Sequence, residues 1–199
     1  MADFSSETST GTAKANRVGT AFGVLSVAVS LGAIGSAIVM AEQFSWMSNA
    51  LSDLGRASWE STVVFNDGLI VAGLLALPLG VVLARNAHTL LHAAGSIAFS
   101  LAAVCLSLID VFALPAPQHG TVAVGFFACF TVGLLVYGAG DVRSGARFRG
   151  LSTVALGLIS VFTWVVWVGT GGPTGPAIPE SIGSGCLSVW ILGTALRFW

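Results

Sequence analysis

The sequence predicts an all-α fold: a polytopic membrane bundle of six spanning helices. Three observations carry that expectation. Hydrophobic residues make up 55% of the chain and charged residues only 9%, against roughly a quarter charged in an ordinary soluble domain. Several apolar runs exceed the roughly 18 residues that mark a spanning helix. The ionisable residues collect at the ends of these runs and leave their middles almost bare. The formal net charge of −1 gives no nucleic-acid signal.

Residues 1–17 form a polar tail rich in Ser, Thr and Ala without apolar periodicity, expected to be disordered and cytoplasmic; residues 18–199 form the spanning domain. The first span is expected over residues 18–41. It carries a GxxxG at Gly19 and Gly23 and further small residues at Ser26, Ser30, Gly32, Gly35 and Ser36. In lipid, small residues let helices approach closely, so this face suits packing within the bundle or dimerisation. The remaining spans are expected over 62–84, 90–114, 121–140, 151–169 and 180–198. Pro78 should bend the second, and Pro179-Glu180 suits the start of the sixth, where a carboxylate favours the positive end of the helix dipole.

Between the first two spans lies the most polar stretch beside the hydrocarbon, residues 42–61. Within it Ser48 suits an N-cap and Gly55 a left-handed helix end, with Ser58 a candidate cap for the second span. Phe44, Trp46, Met47 and Trp59 are interfacial types, which places the segment at the membrane surface.

Six spans put both termini on one side. Lys14, Arg17, Arg85, Arg143, Arg147, Arg149 and Arg197 map to that side and only Arg56 to the other, so the termini are expected in the cytoplasm of a cell-membrane protein. Glu42, Asp53, Glu60, Asp67, Asp110 and Glu180 then face outward, and only Asp3, Glu7 and Asp141 face inward.

The outer groups define the candidate site. Asp53, Asp110 and His119 are the expected catalytic groups, and Asn49, Ser52, Arg56, Asn66, Asp67 and Glu180 the expected ligand-binding groups. Acids with a histidine can hold a metal or move a proton, and Ser52 with His119 and an aspartate can form a nucleophile set. Against these stands a purely structural reading, in which the same groups pin the connection to the bundle and Arg56 pairs with Asp53 or Asp67. No metal site is expected: His88 and His92 share a helical face but lack a third ligand. No cofactor is indicated. The loop 143–149 suits topology determination or anionic headgroups. Cys105, Cys129 and Cys186 fall inside spans as small packing residues.

Asn49-Ala-Leu-Ser-Asp-Leu-Gly55, Phe65-Asn66-Asp67-Gly68-Leu69 and the turn bearing Pro115, Pro117 and His119 resemble a prokaryotic membrane family, the domain of unknown function nine-nine-eight. That resemblance implies about six spans over nearly the whole chain and no assigned activity. A looser similarity reaches the eukaryotic Frag/DRAM/Sfk membrane group and implies a lipid-related role. The preference for Arg over Lys suits an archaeal type of composition. The expected function is an outward polar site that binds or processes a lipid headgroup or small polar ligand. A non-catalytic subunit and a transporter or channel are the alternatives. Expected partners are membrane lipids, other membrane subunits or further copies of the chain.

Overall fold

The computed structural model describes residues 3–172 and 175–198. All six long elements are helices, and each is long and apolar enough to cross a membrane. They are α1 (Asp3–Met40), α2 (Thr62–Arg85), α3 (Leu90–Val111), α4 (His119–Arg143), α5 (Arg147–Gly169) and α6 (Ala177–Phe198); a short 3-10 helix, Leu51–Gly55, lies in the first connection. The expected helix ends at 41, 62, 84, 90, 169 and 198 are within one residue of those observed; the third span ends three residues early, α4, α5 and α6 begin earlier, and α4 also ends later.

Helix α1 starts at Asp3, so the segment expected to be a disordered tail continues the first span as helix. Extending an existing helix avoids the nucleation cost that a free segment would meet. The loop expected between the fifth and sixth spans lies partly outside the described residues, at Pro173 and Thr174.

Each helix packs on its neighbour in sequence, and α6 returns to α1, closing a ring. Gly19 and Gly23 are used inside the chain. A Cβ on Gly19 would run into Val82 and the Pro78 carbonyl, and one on Gly23 into Leu79. Two bare glycines thus let α1 lie directly on α2. Helix α2 passes through Pro78 without interruption. The centre is filled by Leu79, Leu83, Phe99, Phe130, Leu134, Tyr137 and Trp190. The Trp190 ring sits edge-on to Phe99 and Tyr137, with centroids 5.4 and 5.6 Å apart, a favoured aromatic geometry. The three cysteines are free thiols.

The bundle has two distinct ends. One carries the 3-10 helix, the α3–α4 turn and the start of α6; it is called the 3-10 end below. The other carries the α2–α3 and α4–α5 turns and the last turn of α6, with Arg85, Arg143, Arg147, Arg149 and Arg197; it is the basic end.

Candidate functional site

At the 3-10 end the polar stretch is strapped to the bundle. Asp53 is buried and accepts from three donors: Asn49 Nδ2 at 3.0 Å, the Ala50 N–H at 2.9 Å and Arg56 Nε at 2.6 Å. Asn49 Oδ1 in turn accepts the Ser45 N–H at 2.9 Å. The Gly175 N–H donates to the Met47 carbonyl and the Ala177 N–H to the Asn49 carbonyl, which ties the strap to the approach of α6. Ser61 Oγ donates to the Leu54 carbonyl at 2.7 Å, and Asn66 Nδ2 to the Gly55 carbonyl at 3.0 Å.

Two expectations about local geometry are corrected. The short helix begins at Leu51 after Ala50, not at Ser48, and the residue before α2 is Ser61, not Ser58. Gly55 is absent from the positive-φ glycines among the described residues, which are Gly145, Gly171 and Gly172. Its lack of a side chain serves close approach instead: a Cβ there would collide with Asn66 Oδ1 and crowd Phe65.

Arg56 pairs with Asp53, one of the two acids expected for it, while Asp67 is exposed on α2. Burial pushes the Asp53 carboxyl up from its ordinary 3.8, but the hydrogen bonds from Asn49, Arg56 and Ala50, with the Arg56 charge, outweigh burial and hold it below that value. A carboxyl held low in the fold stabilises it above its unfolded pKa and ceases to as pH falls through the folded value. The stability gap between wild type and Asp53→Asn is therefore expected in full above about pH 5 and to close as the pH falls below the ordinary value of 3.8. Thermal unfolding across that range measures it, and a gap that widens on acidification would contradict it.

His119 and Asp110 do not join Asp53. The buried His119 ring donates its Nδ1–H to the end of α3, with the Phe112 carbonyl at 3.0 Å and the Ile109 carbonyl at 3.2 Å. It satisfies carbonyls that a helix C-terminus leaves open. Asp110 is also buried, and its Oδ2 has no hydrogen-bond partner among the described residues. No group of three or more His, Cys, Asp or Glu side chains comes together among the described residues as a metal would need.

What the 3-10 end does border is a cavity inside the ring, with a volume of about 90 Å³. It is walled by α1, α2, α3, α4 and α6; Val27, Leu69, Phe99, Ala102, Phe126 and Leu187 show its character. At its polar end stand Ser52, Glu180 and Ser184. Glu180 is buried, and its Oε2 accepts the Leu51 N–H at 2.6 Å. Leu31 of α1 lines the cavity and is 50% exposed, so the cavity reaches the outer surface of the bundle beside α1. Helix α1 packs more closely on α2 than on α6, and the α1–α6 seam is one of the two looser joints of the ring, with α5–α6 the other. Of the expected site residues, Ser52 and Glu180 border the cavity; Asn49, Asp53, Arg56, Asn66, Asp67, Asp110 and His119 are not part of its lining.

The basic end holds a second polar cluster that sequence reasoning did not assemble. Asp141 is buried and takes both fork nitrogens of Arg149, Nε at 2.9 Å and Nη2 at 2.8 Å. Arg197 Nη1 lies 3.6 Å away and also donates to Tyr137 Oη at 3.3 Å. His92 Nε2 sits 3.3 Å from Asp141, and its Nδ1 3.0 Å from Thr89 Oγ1. One carboxylate thus ties α3, α4, α5 and α6 together. His88 is exposed, and its ring stands edge-on to that of His92 with centroids 6.4 Å apart. The available signal was Asp141 itself, an acid set among arginines eight residues from Arg149 across a tight turn.

Together these features define a six-span helical membrane protein with an internal apolar cavity. The family model described as "Protein of unknown function (DUF998)" matches residues 16–197, and the chain belongs to that family. No curated protein and no solved structure matches it.

Proposed function

We propose that this protein binds a membrane amphiphile, taking its alkyl chain into the cavity through the α1–α6 seam and holding its head beneath the 3-10 helix. The observation that carries the reading is the cavity: about 90 Å³, largely apolar along its length and most polar at one end. Small-molecule sites likewise combine apolar walls with a few placed polar groups. Along α6 the lining runs from Glu180 to Ile191, about 17 Å at the helical rise, a length that suits an extended alkyl chain. Exposure of Leu31 at the seam supports entry from the bilayer. The reading invokes binding and no bond-breaking step, because Asp53 is already engaged by three donors and His119, whose Nδ1 is bound to the end of α3, is not part of the cavity lining.

Filling the cavity tests it. Ala102 is 1% exposed and lines the wall. In full-length protein in phosphatidylcholine nanodiscs, wild type is expected to bind radiolabelled dodecylamine saturably. Ala102→Phe should weaken binding about tenfold or more, since the new ring takes the space of the chain. Val165→Phe, on the exposed face of α5, should leave it unchanged. Equal binding by wild type and Ala102→Phe would refute the reading.

A further inference from the structure

The chemistry at the polar end of the cavity selects the head of the bound amphiphile. We infer that the site takes a single-chain amphiphile whose head donates hydrogen bonds, an ammonium or a hydroxyl, and rejects an anionic head. The inference rests on the amphiphile-binding reading above.

Three groups form the polar end. Glu180 and Ser184 are four apart on α6 and so lie on one helical face. Ser52 follows Leu51, whose N–H is donated to Glu180 Oε2. That bond fixes one carboxylate oxygen and joins the 3-10 helix to the mouth of the cavity. For Oε1, and for the hydroxyls of Ser52 and Ser184, no partner is seen among the described residues. A carboxylate oxygen is an acceptor, and each hydroxyl can accept as well as donate. The lining contains no Lys, Arg or His. The nearby cation, Arg56, is turned to Asp53, which it meets at 2.6 Å.

The remaining hydroxyls of the wall are already committed as donors. Ser26 Oγ donates to the Ala72 carbonyl at 2.7 Å, Ser30 Oγ to Val27 at 3.1 Å and Ser188 Oγ to Ser184 at 2.8 Å. The polar character therefore concentrates at the Glu180 end, and it is chiefly acceptor. A carboxylate or phosphate head placed there meets Glu180 without a counter-charge, in a space walled by hydrocarbon, where an unpaired charge is costly. An ammonium or hydroxyl head donates to Glu180 Oε1 and the serine oxygens while its chain fills the cavity below.

The experiment compares heads on one chain. Full-length protein in phosphatidylcholine nanodiscs is titrated at about pH 9, where carboxyl groups are charged and dodecylamine stays protonated, with dodecylamine, dodecanol and laurate, each competing against radiolabelled dodecylamine. Both donor heads are expected to compete at least roughly tenfold more strongly than laurate. Glu180→Gln keeps an oxygen to accept the Leu51 N–H, so the strap persists, and it should collapse the amine-to-laurate ratio to about threefold or less. Laurate competing as well as either donor head overturns the inference, and the wild-type series alone is enough to show it. An unchanged ratio in a folded Glu180→Gln protein overturns it too. Saturable binding without head preference removes this inference and leaves the chain-binding reading standing. Absence of binding by dodecylamine itself takes down the chain-binding reading and this inference with it.

Discussion

Replacing Arg149 by Met is expected to lower the stability of the bundle by about 1–3 kcal/mol, below the roughly 3–5 kcal/mol for breaking a fully buried ion pair from one side because Arg149 is partly exposed and screened. Asp141→Asn is expected to cost clearly less. The asymmetry follows from which partner can reach water. The Asp141 side chain is 2% exposed, whereas that of Arg149 is 45% exposed. Without Arg149, the carboxylate stays buried, with Arg197 at 3.6 Å as its remaining guanidinium and His92 at 3.3 Å. Arg197 already stands close, so the lower end of the range is the better expectation. Without the Asp141 charge, Arg149 can turn to solvent. Thermal unfolding of both variants in detergent measures the difference, and an Asp141→Asn cost equal to or above that of Arg149→Met would contradict this account. The double change Arg149→Met with Asp141→Leu should recover much of the loss, because it removes the stranded charge.

The second large effect is expected at Gly150, next to Arg149 in sequence. A Cβ there would lie 2.6 Å from the Gly138 carbonyl oxygen and 2.6 Å from the Val142 backbone nitrogen. A Cβ on Gly138 would meet the Gly150 carbonyl at 2.9 Å. Here α4 and α5 touch backbone to backbone, an approach that only residues this small permit in lipid. Gly150→Val must push α5 away, at a cost of about 1–3 kcal/mol for overpacking. The same displacement draws Arg149 from Asp141. Gly150→Val and Arg149→Met should therefore be less than additive, which a double-mutant cycle reads directly. Strict additivity would mean that the ion pair survives the displacement.

The helices were legible in the sequence because span length and hydropathy are local properties. The Gly19 and Gly23 pair also announced a close helix contact, and the structure uses it between α1 and α2. The polar site was legible only in part. Asp53 and Arg56 are three apart, so their pairing follows from local spacing. The contact of Glu180 with Leu51 joins residues 129 apart, and no spacing rule reaches that far. His119 matched the residue type of a general base, but its position after a helix end gave it open carbonyls to satisfy. The cluster around Asp141 draws on four helices, and its members looked like topology signals when taken singly. The cavity was the least visible feature. Its walls are the same Leu, Val, Ala and Phe that fill the core, and only packing decides where such residues leave space.

Locating the chain itself tests amphiphile binding most directly. An experimental structure of the full-length protein with a terminally brominated dodecylamine should show anomalous bromine signal deep in the cavity, among Val27, Ala102 and Leu187, with the amine beside Glu180. Bromine found only on the outer surface of the bundle, with α1 and α6 closed against each other over a collapsed cavity, would contradict the account.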